Sequence, residues 1–209
     1  MRYRHILLDL DGTVLESHYS ILGAMAYAGE KMGVTVELDK TWQFIGPPIW
    51  EYGVKWQGMS RGDAETLQNH YLDYLNEKGW KLDKLYEGIP ELIDSLRAAG
   101  ARVYACTSKP TGLSRRICGR LKLPLDGVWG YEPGVVSKAD TIRALIAAEG
   151  ADPAGCIMVG DSEKDVNCAR ACSADSIGVL YGYGRPEDIL AAGPTYAAHS
   201  VEELKEILL

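Results

Sequence analysis

Helical and strand-like patterns alternate along the chain from Ile89 onward, and few folds accommodate such an alternation. Apolar residues recur at helical spacing from Ile89 to Leu96, and a short apolar strand pattern follows at 102–107. Further helices are predicted over 111–121, 138–149 and 163–172, and further strands over 6–10, 128–131, 156–160 and 177–180. The alternation predicts an α/β protein with a parallel, Rossmann-like sheet covered by helices on both faces.

A different pattern lies between the first predicted strand and Ile89. Helical patterns occur around residues 21–32, 49–57 and 64–77, without a convincing strand between them. We therefore expect an α/β core formed by residues 1–16 and 83–209, with a helical cap domain inserted over residues 17–82. We expect bulky side chains to fill the core of this small bundle, namely Trp42, Phe44, Trp50, Trp56 and Trp80.

Composition excludes several classes of protein. The chain is 46% apolar and 24% charged, as folded globular proteins are. Its net charge of −7 disfavours broad binding to nucleic acid, which depends on clustered cations. No apolar run approaches the roughly 18 residues of a membrane span. The five cysteines lack C-x-x-C spacing and indicate free thiols in a reducing compartment, so we expect a cytoplasmic protein.

Two carboxylates follow the first predicted strand, in the sequence Asp9-Leu-Asp11-Gly-Thr13. Side chains two residues apart on a strand share a face, so Asp9 and Asp11 would lie side by side where Gly12 lets the chain leave the sheet. Adjacent carboxylates are tolerated when a divalent cation lies between them, when one keeps a proton, or when both are solvated. A bare pair of this kind is most often a solvated turn.

A second acidic pair and two polar positions also lie at the ends of predicted elements. Asp161 follows an apolar strand that ends in glycine, and Asp165 lies four residues later on the next helix. Thr107 follows another strand, and Lys138 begins a helix behind the capping-box sequence Ser137-Lys-Ala-Asp140. Each has an ordinary structural interpretation, with Asp161 as a helix N-cap and Asp165 and Lys138 as solvated charges. Ligands bind at the carboxyl ends of parallel strands, so one crevice could collect all of them.

Together these residues resemble the motifs of the haloacid dehalogenase superfamily of phosphotransferases, in order and in spacing. The first motif matches Asp9 to Thr13, the second Thr107, the third Lys138, and the fourth Gly160 with Asp161 and Asp165. The inserted helices resemble the small α-helical cap of this family. Three short sequences are most similar to its phosphoglycolate phosphatase branch: Thr107-Ser-Lys-Pro110, Gly46-Pro-Pro48 and Gly160-Asp-Ser162.

The resemblance implies a Mg²⁺-dependent phosphatase that hydrolyses a small phosphorylated metabolite through an aspartyl-phosphate. Asp9 would be the nucleophile and Asp11 the general acid and base. Mg²⁺ would be held by Asp9, Asp161 and the main-chain carbonyl of Asp11, while Asp165 supports the site by orienting bound water or Lys138. The phosphoryl oxygens and the substrate would be bound by Thr107, Ser108, Lys138 and Gly46.

Other interpretations share part of this pattern. A phosphomutase of the β-phosphoglucomutase type has the same core residues, and a 5'-nucleotidase differs only in substrate. A dehalogenase is disfavoured because Asp11 is present, and a response-regulator receiver domain has no room for the insert. An idle phosphate-binding or scaffold protein is the non-enzymatic alternative. The residues do not identify the phosphate ester or the oligomeric state, and they predict no nucleic-acid or membrane partner.

Overall fold

The computed structural model describes residues 2–36, 49–134 and 137–209. Its strands are β1 (His5–Leu8), β2 (Leu15–Glu16), β3 (Lys84–Leu85), β4 (Arg102–Pro110), β5 (Gly127–Tyr131), β6 (Cys156–Gly160), β7 (Asp175–Val179) and β8 (Tyr196–Ala198). Its α-helices are α1 (His18–Met32), α2 (Ile49–Gln57), α3 (Arg61–Glu77), α4 (Ile89–Ala98), α5 (Thr111–Arg120), α6 (Lys138–Glu149), α7 (Glu163–Ala171), α8 (Pro186–Ala191) and α9 (Val201–Leu208).

Six parallel strands form one sheet in the order β5-β4-β1-β6-β7-β8. The predicted α/β fold is confirmed. The chain adds strands on one side of β1 as far as β5 and then crosses to the other side at β6. The carboxyl ends of β4, β1 and β6 therefore flank the point where the strand order reverses, which is the usual ligand-binding position in such sheets. β2 and β3 pair separately.

The elements differ from the sequence predictions mainly at their ends. β1 stops at Leu8, two residues before the predicted end, and β4 continues three residues beyond Thr107 to Pro110. The last strand β8 and the helices α8 and α9 were not predicted. β8 has only three residues and lies at the sheet edge, so its sequence carries little periodic signal.

One face of the sheet packs on α6 and α7. Leu7, Tyr104 and Met158 come from three neighbouring strands and are fully buried against Ile142 and Ala169 of these helices. Successive strand residues point to opposite faces, so this packing fixes the strand register. The same register brings the ends of β1, β4 and β6 to one level, because Leu8 pairs with Ala105 on one side and with Val159 on the other.

The chain divides into two compact units, Met1–Glu16 with Leu85–Leu209, and Ser17–Lys84. The second unit is helical and contains α1, α2 and α3. Its buried cluster consists of Ile21, Met25, Ala28, Ile49, Tyr52 and Leu67. The expectation of a tryptophan-filled core is therefore not met by the described residues, because Trp50 and Trp80 are only partly buried. Trp42, Phe44 and the side chain of Trp56 lie outside the described part of the chain, so the expectation stays a prediction for these three.

Among the helices in the described ranges of the chain, none has both the length and the apolar character that crossing a bilayer requires.

Candidate active site

Three neighbouring strands deliver polar side chains to the same edge of the sheet. Asp9 follows β1, Asp161 follows β6, and Thr107 lies near the end of β4; each is at most 6% exposed. The Asp9 amide donates a hydrogen bond of 2.9 Å to the Val159 carbonyl, which holds the chain beside β6 for one residue beyond the strand. All three residues therefore lie toward the sheet edge at which the sequence predicted them, and carboxylate oxygens of Asp9 and Asp161 lie within 4.8 Å of one another.

Lys138 lies between two of the carboxylates. Its Nζ atom is 3.0 Å from Oδ2 of Asp9 and 2.5 Å from Oδ1 of Asp165. The side chain of Lys138 is 8% exposed, so the interpretation of this lysine as a solvated charge is wrong. Of the two oxygens of Asp9, Oδ2 faces Lys138, and Oδ1 is buried without a hydrogen-bond partner among the described residues.

Capping boxes fix the helix starts on which Lys138 and Asp165 lie. The predicted capping box at Ser137 is present. The Ser137 side chain accepts a hydrogen bond from the amide of Asp140, and the Asp140 side chain accepts one from the amide of Ser137. Ser162 and Asp165 form a second box at α7. Ser162 is therefore the N-cap, and the alternative interpretation of Asp161 as the N-cap is wrong. Asp165 is fully buried, with one oxygen on Lys138 and the other on Ser162.

Asp11 has a cation of its own, which sequence reasoning did not assign. Nζ of Lys109 lies 3.0 Å from Oδ2 of Asp11, and Oδ1 of Asp11 is buried without a partner in the described part of the chain. Because β1 ends at Leu8, Asp11 lies in the turn after the strand. There its backbone forms an isolated β-bridge with Leu15. Gly12 in this turn has φ +76°, a conformation that favours glycine.

A loop after β7 holds Asp161, and this loop was not recognised from the sequence. The amide of Tyr183 donates a 2.7 Å hydrogen bond to Oδ2 of Asp161, and the Gly184 amide lies 3.4 Å from the same oxygen. A side chain at Gly182 would begin 2.4 Å from the Asp161 side chain and 2.3 Å from the Gly12 carbonyl. The glycine-rich run Tyr181-Gly-Tyr-Gly184 was the available signal, because such close backbone approach requires glycine.

Burial and mutual repulsion raise the pKa values of two carboxyl groups. The pKa of Asp161 rises to about 8, through burial and through the charges of Asp9 and Asp165. The pKa of Asp9 rises to about 6, mainly through burial, although Lys138 opposes the rise. Burial lowers the pKa of Lys138, but Asp165 and Asp9 outweigh it and raise the pKa above the usual range, so the ammonium stays charged.

The residues present fit a divalent cation. Oxygens of Asp9, Asp161 and Asp165 lie within 4.8 Å of one another, and all three residues are buried. Ionised, these carboxylates and Asp11 carry two more negative charges than Lys109 and Lys138 neutralise. Hard carboxylate oxygens suit Mg²⁺, and Oδ1 of Asp9, which has no hydrogen-bond partner among the described residues, is available as a ligand for the ion. Asp165 has both oxygens engaged by the protein, which suits it to holding Lys138.

The remaining predicted residues are placed as follows. Thr107 is buried, and its Oγ1 accepts from the Lys109 amide at 3.3 Å. Ser108 is exposed between two buried neighbours. Gly46, with the neighbouring Pro47 and Pro48, lies outside the described residues, so its predicted part in substrate binding stays a prediction.

The raised pKa values predict how stability depends on pH without metal. The folded protein binds more protons than the unfolded chain between about pH 4 and pH 8, so the free energy of unfolding should fall as pH rises through that window. Each pKa unit corresponds to about 1.4 kcal/mol. Mg²⁺ binds the deprotonated carboxylates, so it should raise the free energy of unfolding more at pH 8.5 than at pH 5.

Urea unfolding at both pH values, with Mg²⁺ and with a chelator, checks this expectation. Asp161→Asn, which removes the group with the higher pKa, should flatten the pH dependence and reduce the Mg²⁺ effect. Stability that rises with pH in the chelated wild-type protein would contradict the electrostatic account.

Fold and site together define an α/β protein with buried aspartates and a lysine at the switch point of a parallel sheet. A family model described as "Haloacid dehalogenase-like hydrolase" matches residues 6–179. The chain belongs to this family. It is similar over its whole length to a crystal structure of a predicted phosphatase from Clostridium acetobutylicum, with 33% identity, a TM-score of 0.94 and 99% of that chain covered.

Curated relatives carry several different activities. A 5'-nucleotidase from Pseudomonas aeruginosa is 30% identical over 100% of this chain and 96% of its own length. The tyrosine-protein kinase PtkA of Mycobacterium tuberculosis is 31% identical over 97% of this chain and 72% of its own length. A phosphoglycolate phosphatase from Vibrio parahaemolyticus is 27% identical over 97% of this chain and 95% of its own length. The family is one of hydrolases that includes phosphatases, and these relatives share neither one activity nor one substrate.

Proposed function

We propose that this protein is a Mg²⁺-dependent phosphatase that hydrolyses a small phosphate monoester through an aspartyl-phosphate on Asp9. The observation that carries the proposal is the state of Asp9, with one oxygen 3.0 Å from the buried Lys138 ammonium and the other buried and unpartnered among the described residues. A carboxylate is a poor nucleophile toward an anionic phosphate in water. Burial beside a fixed cation reduces the charge repulsion that opposes the attack.

In the first step an oxygen of Asp9 forms a bond to phosphorus, and the bond from phosphorus to the leaving oxygen breaks. Asp11 gives its proton to that oxygen. In the second step a water oxygen attacks phosphorus, Asp11 takes the proton from the water, and the bond to Asp9 breaks, which releases inorganic phosphate. Lys138 and Thr107 are proposed to hold the other phosphoryl oxygens, with the amide of Ser108 beside them.

Asp9 and Asp161, with the main-chain carbonyl of Asp11, are proposed to hold Mg²⁺. The ion would neutralise charge on the transferring phosphoryl group. Asp165 would keep Lys138 in place through its 2.5 Å contact. The helical segment over residues 17–82 is proposed as the cap that determines specificity, and Gly46 remains a proposed substrate contact in it.

The substrate class has two principal candidates. A phosphoglycolate-like ester is supported by the motif resemblance and by the phosphoglycolate phosphatase relative. A nucleoside 5'-monophosphate is supported by the 5'-nucleotidase, which matches the whole chain at 30% identity. We propose a small phosphorylated metabolite in either case. The free buried thiols of Cys106 and Cys156 agree with a reducing compartment such as the cytoplasm.

A panel of phosphate compounds tests this function. Phosphoglycolate, nucleoside 5'-monophosphates, sugar phosphates, pyrophosphate and phosphotyrosine would be assayed for phosphate release with Mg²⁺ and with excess chelator. We expect release from at least one of them, and at least about 10³-fold less in chelator, because the metal stabilises the transferring charge. An isomerised sugar phosphate without free phosphate would identify a mutase. No release from any compound would favour a binding protein and contradict the proposal.

A further inference from the structure

A second buried lysine lies at the candidate site, and the proposed mechanism gives it no role. Lys109 lies two residues after Thr107, and its side chain is 4% exposed. Lysine is rarely buried to this extent unless it has a charged partner. Its partner is Asp11, at 3.0 Å. This ion pair joins the residue proposed as general acid and base to a lysine that lies two residues after the second motif.

The backbone around Lys109 is part of β4 and is positioned by strand pairing and by a hydrogen bond to Thr107. β4 continues through Lys109 to Pro110, where it pairs with Tyr131 of β5 after a shift in register. The Lys109 amide donates to Oγ1 of Thr107. A side chain on the facing Gly130 would begin 2.4 Å from the Lys109 carbonyl, so glycine there lets β5 approach closely. Residues 107 and 109 are buried and 108 is exposed, as alternation along a strand requires.

Each of the two lysines contacts different carboxylates of the site. Lys138 contacts Asp9 and Asp165, and Lys109 contacts Asp11. Only Oδ2 of Asp11 faces Lys109, while Oδ1 is buried and has no partner among the described residues. The carboxylate is thereby oriented, with one oxygen held by the lysine and the other left for proton exchange.

We propose that Lys109 is a positioning residue for Asp11, fixing the carboxylate through Oδ2 so that Oδ1 exchanges the proton with the leaving oxygen. This inference rests on the proposed function. It predicts a defect that depends on the leaving group. An alkoxide leaving group needs the proton from Asp11, whereas p-nitrophenolate departs without one. A lysine that bound the phosphoryl group directly would affect both kinds of substrate equally.

The test compares kcat/KM of Lys109→Met and the wild-type enzyme on two substrates. One is p-nitrophenyl phosphate, and the other is the alkyl phosphate on which the wild-type enzyme is most active. kcat/KM reports steps up to departure of the leaving group. We expect a loss on the order of 10²-fold for the alkyl phosphate and less than about 10-fold for the aryl phosphate. Lys109→Arg, which keeps the charge, should recover part of the alkyl activity.

Two controls separate positioning from other effects. Lys164→Met removes an exposed lysine at the start of α7 and should leave both activities unchanged. In an Asp11→Asn background, Lys109→Met should cause little further loss, because a residue that acts through Asp11 has nothing left to position. Lys109→Gln provides a second neutral variant if the methionine variant does not fold, as judged by circular dichroism.

The outcomes distinguish this inference from the function on which it rests. Equal losses on both substrates, or a full additional loss in the Asp11→Asn background, would overturn the positioning role and leave the phosphatase intact. A wild-type protein inactive on every phosphate ester would overturn the proposed function and this inference with it.

Discussion

Asp9→Asn should abolish turnover, with a fall in kcat of at least about 10⁴-fold. The substitution keeps the size of the side chain but replaces the carboxylate with an amide, which is too weak a nucleophile to attack phosphorus. The buried position also favours this interpretation, since a carboxyl group with a pKa raised to about 6 is costly to retain unless it has a function there. Steady-state phosphate release on the best substrate of the panel measures the effect.

The matched control for this variant is Asp94→Asn. Asp94 is an exposed carboxylate on α4, so the same chemical change there should leave kcat within about two-fold, as surface substitutions usually do. Activity of Asp9→Asn within ten-fold of the wild type would remove Asp9 as nucleophile. The panel result would then have to be explained by direct attack of water.

Lys138→Met should lower both activity and stability, because this lysine contacts Asp9 and Asp165 at once. Removing one donor from a preorganised site costs on the order of 10²–10³-fold in kcat. Leaving a buried carboxylate without its cation also costs about 3–5 kcal/mol of stability. We therefore expect a fall in both kcat and the free energy of unfolding, measured by steady-state kinetics and by urea denaturation.

A double variant separates these two effects. Lys138→Met with Asp165→Asn removes the cation and one of its carboxylate partners, so stability should recover relative to Lys138→Met alone. Activity should not recover, because Asp9 still has no cation beside it. Recovery of activity together with stability would show that Lys138 serves the fold and has no part in phosphoryl transfer.

The strand and helix pattern was enough to predict where the carboxylates would meet. Asp9 and Asp161 each follow an apolar strand, and Thr107 lies near the end of another. Parallel strands place their carboxyl ends at one edge, so these distant residues could be assigned to that edge without knowledge of the loops. The capping box at Ser137 likewise predicted the start of α6 and hence the position of Lys138. These features are local in sequence, which is why they could be recognised.

What the sequence did not reveal depends on loops and on irregular strand ends. Lys109 contacts Asp11 because β4 continues past Thr107 through a register shift. The pattern of apolar residues does not predict such a shift. The hydrogen bond from Tyr183 to Asp161 comes from a loop after β7. The two glycines of this loop are the only feature of its sequence that indicates close packing. Ser162 replaces Asp161 as the N-cap because Asp161 is turned toward that loop.

Composition misled the prediction for two tryptophans of the helical unit, Trp50 and Trp80. Large aromatic side chains were expected to fill its core, yet among the described residues its buried cluster contains mostly aliphatic side chains with one tyrosine. Trp50 instead lies under the guanidinium of Arg61, whose Cζ atom is 3.5 Å from the centroid of the indole ring. Aromatic residues remain favourable when half exposed if a cation covers the ring, so their number alone does not identify a core.

The central claim is that Asp9 carries the phosphoryl group, and trapping that intermediate tests it most directly. The wild-type enzyme would be mixed with its best substrate and Mg²⁺, quenched in acid within one turnover, reduced with borohydride and analysed by peptide mass spectrometry. Borohydride converts an aspartyl-phosphate to homoserine, so we expect homoserine at position 9 and no conversion in Asp94 or Asp161. Conversion at another aspartate, or none while phosphate release is still observed, would contradict the account.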